Sequence, residues 1–174
     1  MLAAACRAPA DPEAAIGPAA GDLLVDLSGA YSFRDAAQDP ERERLRLQTS
    51  AGFFVNPAHR VGLSFDGELV NDETFDEHLF AIGPFYDYNV PIGRRTTFYV
   101  GPQVQWASVD LGEPDESSDS VAWGVHVGLR HWLSPRVALV LEPRWMRADF
   151  GEDFGGEADQ FDVLLGLAVT MATR

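Results

Sequence analysis

The chain has 174 residues, which suits one domain better than two. Its formal net charge of -14 argues against a nucleic-acid partner, because phosphate binding needs basic patches. All 13 basic residues are arginine, and soluble β-proteins usually protect their sheet edges with lysine, so a solvated sheet is disfavoured. No run approaches the roughly 20 apolar residues of a membrane helix. The single cysteine, Cys6, excludes an intrachain disulfide.

Residues 1–21 are rich in alanine and proline and show no strand period. We predict a flexible leader, the remnant of a signal sequence, that lies outside the fold. Leu2 to Cys6 resembles a lipoprotein cleavage motif, in which Cys6 would be acylated, although the leucine stands one position too far from the cysteine. The folded domain is therefore predicted to cover residues 22–174.

From Asp22 onward, apolar and polar residues alternate in successive runs, which is typical of strands with two different faces. Both faces of the fourth run are apolar, and we assign the face that carries Gly83, Asp87 and Asn89 to the interior. Pro84 and Pro102 each remove one ladder donor, as does Pro143, so local breaks are expected there. The eight runs are 23–34, 44–55, 61–69, 79–90, 98–106, 121–130, 137–145 and 161–171.

The hairpin formed by the sixth and seventh runs has the most informative faces. One face is large and apolar, from Val121 to Trp145, and the other mixes glycine with His126, Arg130, Glu142 and Arg144. A soluble sheet would bury the apolar face, whereas a transmembrane barrel turns that face to lipid and fills its lumen with small and polar groups.

The connections between the runs favour the membrane barrel. Those after runs one, three, five and seven are predicted to be long and acidic, and those after runs two, four and six to be short and basic. Outer-membrane barrels have long extracellular loops and tight periplasmic turns. We therefore predict a closed eight-stranded antiparallel up-and-down transmembrane β-barrel, all-β, with acidic extracellular loops and with both termini and the short turns in the periplasm.

Outward aromatic residues are predicted to form two girdles at the membrane interfaces. Aromatic residues packed in the core of a soluble β-sandwich would not be expected to gather at two separate levels along the strands. The girdle near the acidic loops comprises Tyr31, Phe33, Trp106, Trp123, Trp145 and Phe161, and the girdle near the short turns comprises Phe53, Tyr86, Tyr88 and Phe98.

Three segments resemble the small outer-membrane β-barrel proteins of Gram-negative bacteria. They are residues 52–56 (GFFVN), 98–102 (FYVGP) and 128–135 (GLRHWLSP), and the resemblance covers the chain from about Asp22 onward. It implies an outer-membrane location, with lipid or lipopolysaccharide and the barrel-assembly machinery as partners. Such barrels usually end on an aromatic residue that this machinery reads, and the sequence ends from Val169 to Arg174 without one.

The barrel interior is predicted to hold a polar cluster, because eight strands leave room only for side chains. Buried charges must pair or stay hydrated. We expect Arg130, Glu142 and Arg144 to contact one another, with His126, Asp26, Asp87, Gln103 and Gln105 as further members.

The sequence shows no motif for catalysis, metal binding or a cofactor. The pairs His126 with Ser120 and His131 with Ser134 do not form a recognisable nucleophile–base arrangement, so a lipid A-modifying enzyme is a minor alternative. The acidic segment 149–157 lacks the spacing of a calcium-binding loop. We predict a structural, anchoring or surface-interaction protein that is a monomer. A soluble lipocalin-like carrier of an apolar ligand stays open, although the first strand lacks that family's Gly-x-Trp motif.

Overall fold

A computed structural model describes residues 16–36, 39–72, 76–110, 117–149 and 157–172. These residues form eight β-strands, numbered in chain order. The strands are β1 (Leu23–Ala36), β2 (Asp39–Asn56), β3 (His59–Asp72), β4 (Asp76–Pro91), β5 (Thr96–Asp110), β6 (Ser117–Ser134), β7 (Val137–Asp149) and β8 (Glu157–Met171).

Each strand pairs antiparallel with its neighbours in sequence, and β1 pairs with β8 to close the sheet into a barrel. The first pair of this closure joins Leu23 to Met171, so the barrel begins and ends at the same rim. We call this rim the turn rim, because three short connections also lie there, 57–58, 92–95 and 135–136. We call the opposite rim the acidic rim. No helix in the described part of the chain is long and apolar enough to cross a membrane.

Alternation along each strand decides which side chains enter the barrel. In β6, Val121, Trp123 and Val125 are exposed, whereas His126 and Arg130 are buried. The ambiguous fourth run has the predicted orientation, since Asp87 and Asn89 are buried and Phe80 and Tyr88 are exposed. The barrel therefore has an apolar outer wall and a polar interior.

Pro84, Pro102 and Pro143, at which breaks were expected, coincide with gaps in the ladders. Between β4 and β5, pairing passes from Ile82–Trp106 directly to Phe85–Gln103 and then to Tyr88–Val100. Between β6 and β7 it passes from His126–Arg144 directly to Leu129–Leu141, next to Pro143. The register is the same on both sides of each gap, so the breaks expected from proline occur without shifting the strands.

The strands extend further toward the acidic rim than the sequence predicts. The acidic residues from Asp39 to Glu43 belong to β2, and His78 belongs to β4, although both were expected in loops. The connections at this rim span 37–38, 73–75, 111–116 and 150–156, so the prediction that all four are long is wrong. Charged side chains do not end a ladder where water can solvate them on either face of the strand. The segment 150–156 lies outside the described residues.

Residues 16–21, which the sequence assigns to the leader, contact the turn rim. The Ile16 amide donates to the Arg94 carbonyl at 2.9 Å, and the Gly21 amide donates to the Phe54 carbonyl at 2.7 Å. Ile16 packs against a buried apolar group that we call the base cluster. Its members are Leu24, Phe54, Tyr99, Trp132, Ala138, Val140 and Ala168. The base cluster lies in the lumen at the turn rim, beside a cavity of about 340 Å³ that residues 16–19 help to line. Residues 1–15 lie outside the described part of the chain.

Candidate functional site in the barrel lumen

Above the base cluster lies a first group of ion pairs, the lower cluster, centred on Asp87. Its carboxylate is fully buried and lies 2.8 Å from Arg60 Nε, 3.0 Å from Arg130 Nη2 and 2.7 Å from His126 Nε2. Arg60 also reaches Asp26, with Nη1 to Oδ2 at 2.5 Å. Three strands, β3, β4 and β6, therefore meet at the Asp87 carboxylate, and Arg60 connects them to β1 through Asp26.

Two inward aromatic rings support these arginines. The Arg130 guanidinium lies 3.7 Å from the centre of the Tyr99 ring, and that of Arg60 lies 4.6 Å from the centre of Phe85. A guanidinium over an aromatic face is stabilised by the ring quadrupole, more strongly where water is excluded. The Tyr99 hydroxyl donates to Glu142 Oε2 at 2.7 Å, which links the lower cluster to the middle of the lumen.

A second group, the upper cluster, lies toward the acidic rim. Arg144 binds Asp66 with both terminal nitrogens, Nη2 to Oδ1 at 2.7 Å and Nη1 to Oδ2 at 3.1 Å. Arg46 donates to Asp162 Oδ2 at 2.6 Å, and Arg44 Nε lies 2.5 Å from Glu68 Oε1. Gln105 also donates to Asp66. Charge-assisted bonds of this kind satisfy groups that would otherwise be costly to bury.

The structure places every residue of the predicted polar cluster on the inner face, and it gives the contacts. Arg130 pairs with Asp87 and Arg144 with Asp66, so the two arginines belong to different clusters. Glu142 lies between them on the hydroxyl of Tyr99, and Gln103 donates to Ser64 at 2.9 Å. The sequence prediction omitted other buried partners, namely Arg46, Arg60, Asp66, Glu68 and Asp162. The sequence could have indicated them, because each stands at an inward-facing position of the alternating pattern.

The space between the clusters is very small. A cavity of about 10 Å³ is lined by Gln48, Ser50, Arg60, Ser64, Phe85, Gln103, His126 and Glu142. One water molecule needs about 10–15 Å³ of such space and two or more polar partners. This part of the lumen therefore has room for one water and not for a larger solute.

Three of the four histidines, His59, His126 and His131, have structural partners in the described residues. His126 contacts Asp87, and His59 Nδ1 lies 2.5 Å from the Tyr86 hydroxyl. His131 Nδ1 lies 3.1 Å from Thr96 Oγ1. The Ser134 hydroxyl accepts from the Val137 amide at 3.1 Å, as expected for a residue of a turn. No group of three His, Cys, Asp or Glu side chains in the described ranges could hold a metal ion.

The outer wall carries the predicted aromatic residues. Near the acidic rim, Tyr31, Trp106, Trp123 and Phe161 are exposed, and Trp145 packs edge-on against Trp123 with ring centres 5.4 Å apart. Near the turn rim, Phe53 and Tyr88 are exposed, and Tyr86 and Phe98 are partly exposed. Phe33 belongs to β1, but its side chain is outside the described part of the structure.

Aliphatic side chains cover the wall between these aromatic residues. The exposed set includes Leu27, Leu47, Leu63, Val104, Val125, Leu139, Leu141, Leu165 and Leu167. A water-soluble protein rarely exposes a contiguous apolar patch of more than a few hundred Å². An apolar band flanked by aromatic residues is instead the outer surface of a barrel in lipid.

No family model matches the sequence, and no curated protein matches it significantly. Solved structures do match. Neisserial surface protein A (NspA) is 21% identical with a TM-score of 0.64, over 87% of this chain and 99% of that chain. OprG from Pseudomonas aeruginosa is 12% identical with a TM-score of 0.57, over 91% and 100%. Ail from Yersinia pestis is 13% identical with a TM-score of 0.50, over 87% and 99%.

The chain has the fold of the small outer-membrane β-barrels. The predicted fold class and the predicted resemblance are thereby confirmed: the barrel is closed, antiparallel and eight-stranded, and its structural neighbours are outer-membrane proteins. Identities this low establish the fold and leave the activity to be argued from this chain's own residues.

Proposed function

We propose that the protein is an outer-membrane barrel with an anchoring or surface-interaction role rather than a general pore. The observation that carries this proposal is the reversed polarity of the barrel, in which Arg130 and Arg144 are buried while Leu165 and Leu27 are exposed. Because two ion-pair clusters block the middle of the lumen and leave only about 10 Å³ between them, the interior serves stability, and the rims are left for interaction with other molecules.

The orientation in the membrane is part of the proposal. The acidic rim would face the exterior, and the turn rim with both ends of the barrel would face the periplasm, as in outer-membrane barrels generally. Two of the structural neighbours support a surface role by their names, since NspA is a surface protein and Ail is an attachment invasion locus protein. The proposed partners are outer-membrane lipid or lipopolysaccharide and the assembly machinery, with the chain as a monomer.

The carrier alternative has less support. A lipocalin-like protein would enclose an apolar cavity, whereas here the inner face carries Asp66, Asp87, Arg130 and Arg144 in ion pairs. The enzyme alternative also lacks support in the described residues, because His126 pairs with a carboxylate in the packed lumen and His131 with a threonine.

Two measurements test the proposal. Protein extracted from membranes should need detergent and should migrate faster on a gel when unheated than when boiled, as closed barrels do. Reconstituted in a planar bilayer, it should give no steady conductance of the size that a water-filled porin gives. A protein that is soluble without detergent would contradict the membrane location, and large stable channels would contradict the filled lumen.

A further inference from the structure

The turn rim is basic, although the chain as a whole carries a formal net charge of -14. In the described residues, the connections and strand ends at this rim hold three exposed arginines, Arg94, Arg95 and Arg136, against one carboxylate, Asp22. The side chains of Arg95 and Arg136 have no carboxylate partner within the described ranges. These two arginines therefore present positive charge that no acidic side chain of the described residues neutralises.

Backbone hydrogen bonds fix Arg95 and Arg136 close to the end of β6. The Arg95 carbonyl accepts from the amide of Trp132, which belongs to β6, at 2.7 Å. Arg136 lies in the tight turn that follows β6, and its carbonyl accepts from the Thr170 amide of β8 at 2.8 Å. The barrel therefore sets the positions of both residues, and their exposed side chains stand at the edge of the wall.

Exposed apolar side chains accompany the arginines at this edge. Leu133 of β6 is 51% exposed, and Ile92 is 60% exposed in the connection that also carries Arg95. An arginine beside an apolar surface can lay its aliphatic stem along that surface and keep its charge in the polar layer beyond it. If the wall lies in lipid, the level just beyond the apolar band is that of the headgroups.

We propose that the turn rim binds anionic phospholipid headgroups in the leaflet that surrounds it. Arg95 and Arg136 favour lipids with a net negative charge over zwitterionic ones, because basic side chains are attracted to an anionic lipid surface within about a Debye length. An acidic protein would also suit a basic rim, but the exposed Leu133 and Ile92 beside the arginines match a lipid surface. The inference rests on the membrane location proposed above and adds to it a rim and a class of lipid.

The test uses protein reconstituted in vesicles of phosphatidylglycerol and phosphatidylcholine, in which one of the two lipids is brominated and quenches nearby tryptophan. The reporter is Leu133→Trp, with phenylalanine at the four native tryptophan positions. Ile92→Trp in the same background is a second reporter, and faster migration of unboiled protein verifies that each variant is folded. Half of the full quenching should need an about fivefold lower mole fraction of brominated phosphatidylglycerol than of brominated phosphatidylcholine, the effect of one arginine at an anionic surface. The difference should shrink in 1 M salt, where the Debye length is about 3 Å.

Further variants separate the local charge from the fold. Arg95→Gln with Arg136→Gln should abolish the preference for phosphatidylglycerol, and Arg95→Lys with Arg136→Lys should keep it. Arg147→Gln is the matched control, because Arg147 is an exposed arginine that pairs with Asp159 near the acidic rim. A protein that keeps Trp123 as its single tryptophan, also near the acidic rim, should show no such preference.

Equal quenching by the two lipids at both reporters would overturn the proposal, as would an unchanged preference in Arg95→Gln with Arg136→Gln. The same preference at Trp123 would also overturn it, because the effect would then not belong to the turn rim. Protein that does not float with the vesicles would instead contradict the membrane location.

Discussion

Arg144 of β7 reaches across the lumen to Asp66 of β3, two strands that share no ladder. Both terminal nitrogens of the guanidinium engage the carboxylate, at 2.7 and 3.1 Å, and both side chains are fully buried. The pair therefore links opposite walls of the barrel through its interior.

Replacing Arg144 with methionine should destabilise the barrel strongly. Asp66 would keep Gln105 and a longer contact to Arg46 at 3.4 Å, but it would lose its bidentate partner. Removing one member of a buried ion pair typically costs about 3–5 kcal/mol of unfolding free energy. Urea unfolding in lipid vesicles, followed by tryptophan fluorescence, measures the change.

The double variant Arg144→Met with Asp66→Leu is the informative companion. It removes both charges, so most of the loss should be recovered, because a buried pair and an apolar pair of similar volume are often close in stability. Arg147→Met removes an exposed arginine and should change little. If Arg144→Met alone and the double variant had equal unfolding free energies, the unpaired Asp66 carboxylate would not be the cause of the destabilisation.

Gly128→Ala should destabilise the barrel by crowding Tyr99. A Cβ atom at Gly128 would lie 2.2 Å from the Tyr99 ring, which also holds Arg130 and Glu142. Overpacking of this kind costs about 1–3 kcal/mol. Gly67→Ala is the control, since a Cβ there meets nothing within 4 Å. The same urea series compares them, and equal effects of the two substitutions would contradict the tight packing around Tyr99.

A charge on the outer wall should be costly only where that wall meets lipid. Leu165 is 66% exposed near the middle of β8, and Leu165→Arg in vesicles should cost about 2–4 kcal/mol. Met171→Arg, at the turn rim, should cost about 0–1 kcal/mol. In a soluble barrel both substitutions would place arginine in water, so a negligible effect of Leu165→Arg on unfolding would argue against a lipid-facing wall.

Tryptophan fluorescence gives an independent test of the same wall. Trp123 is 50% exposed on the outer face, whereas Trp132 is fully buried in the base cluster. In variants that keep one tryptophan and carry phenylalanine at the other three positions, brominated lipid should quench Trp123 and leave Trp132 unaffected. Quenching of both to the same extent would contradict the placement of Trp132 inside the barrel.

Much of the barrel could be predicted from the sequence, because inward-facing and outward-facing side chains alternate along each strand and this alternation can be read from neighbouring residues alone. Even the ambiguous fourth run could be oriented, since Asp87 and Asn89 cannot face lipid and Phe80 and Tyr88 can. The same parity placed Arg130, Glu142 and Arg144 inside the lumen. The neighbours of each strand also followed, because consecutive strands pair throughout the barrel.

The partners of the inward charges could not be predicted in this way. The expected Arg130–Glu142–Arg144 contact used strand neighbours, but an arginine side chain is long enough to cross a lumen this narrow. Arg144 pairs with Asp66 and Arg46 with Asp162, across sequence separations of 78 and 116 residues. Such pairs depend on the stagger of all eight strands. The extent of the β1–β8 pairing, which runs from Leu23–Met171 to Gly29–Leu165 in the described residues, depends on the same stagger, and alternation carries no information about it.

The base cluster has a consequence for how the barrel assembles. Its side chains come from β1, β2, β5, β6, β7 and β8, with Leu24 and Ala168 on the two strands that meet last. Until those two strands join, Trp132 and Phe54 cannot be fully enclosed. Closure of the chain into a ring and burial of its apolar base are therefore one cooperative event, and a barrel that fails to close should expose both tryptophan and strand edges to the folding environment.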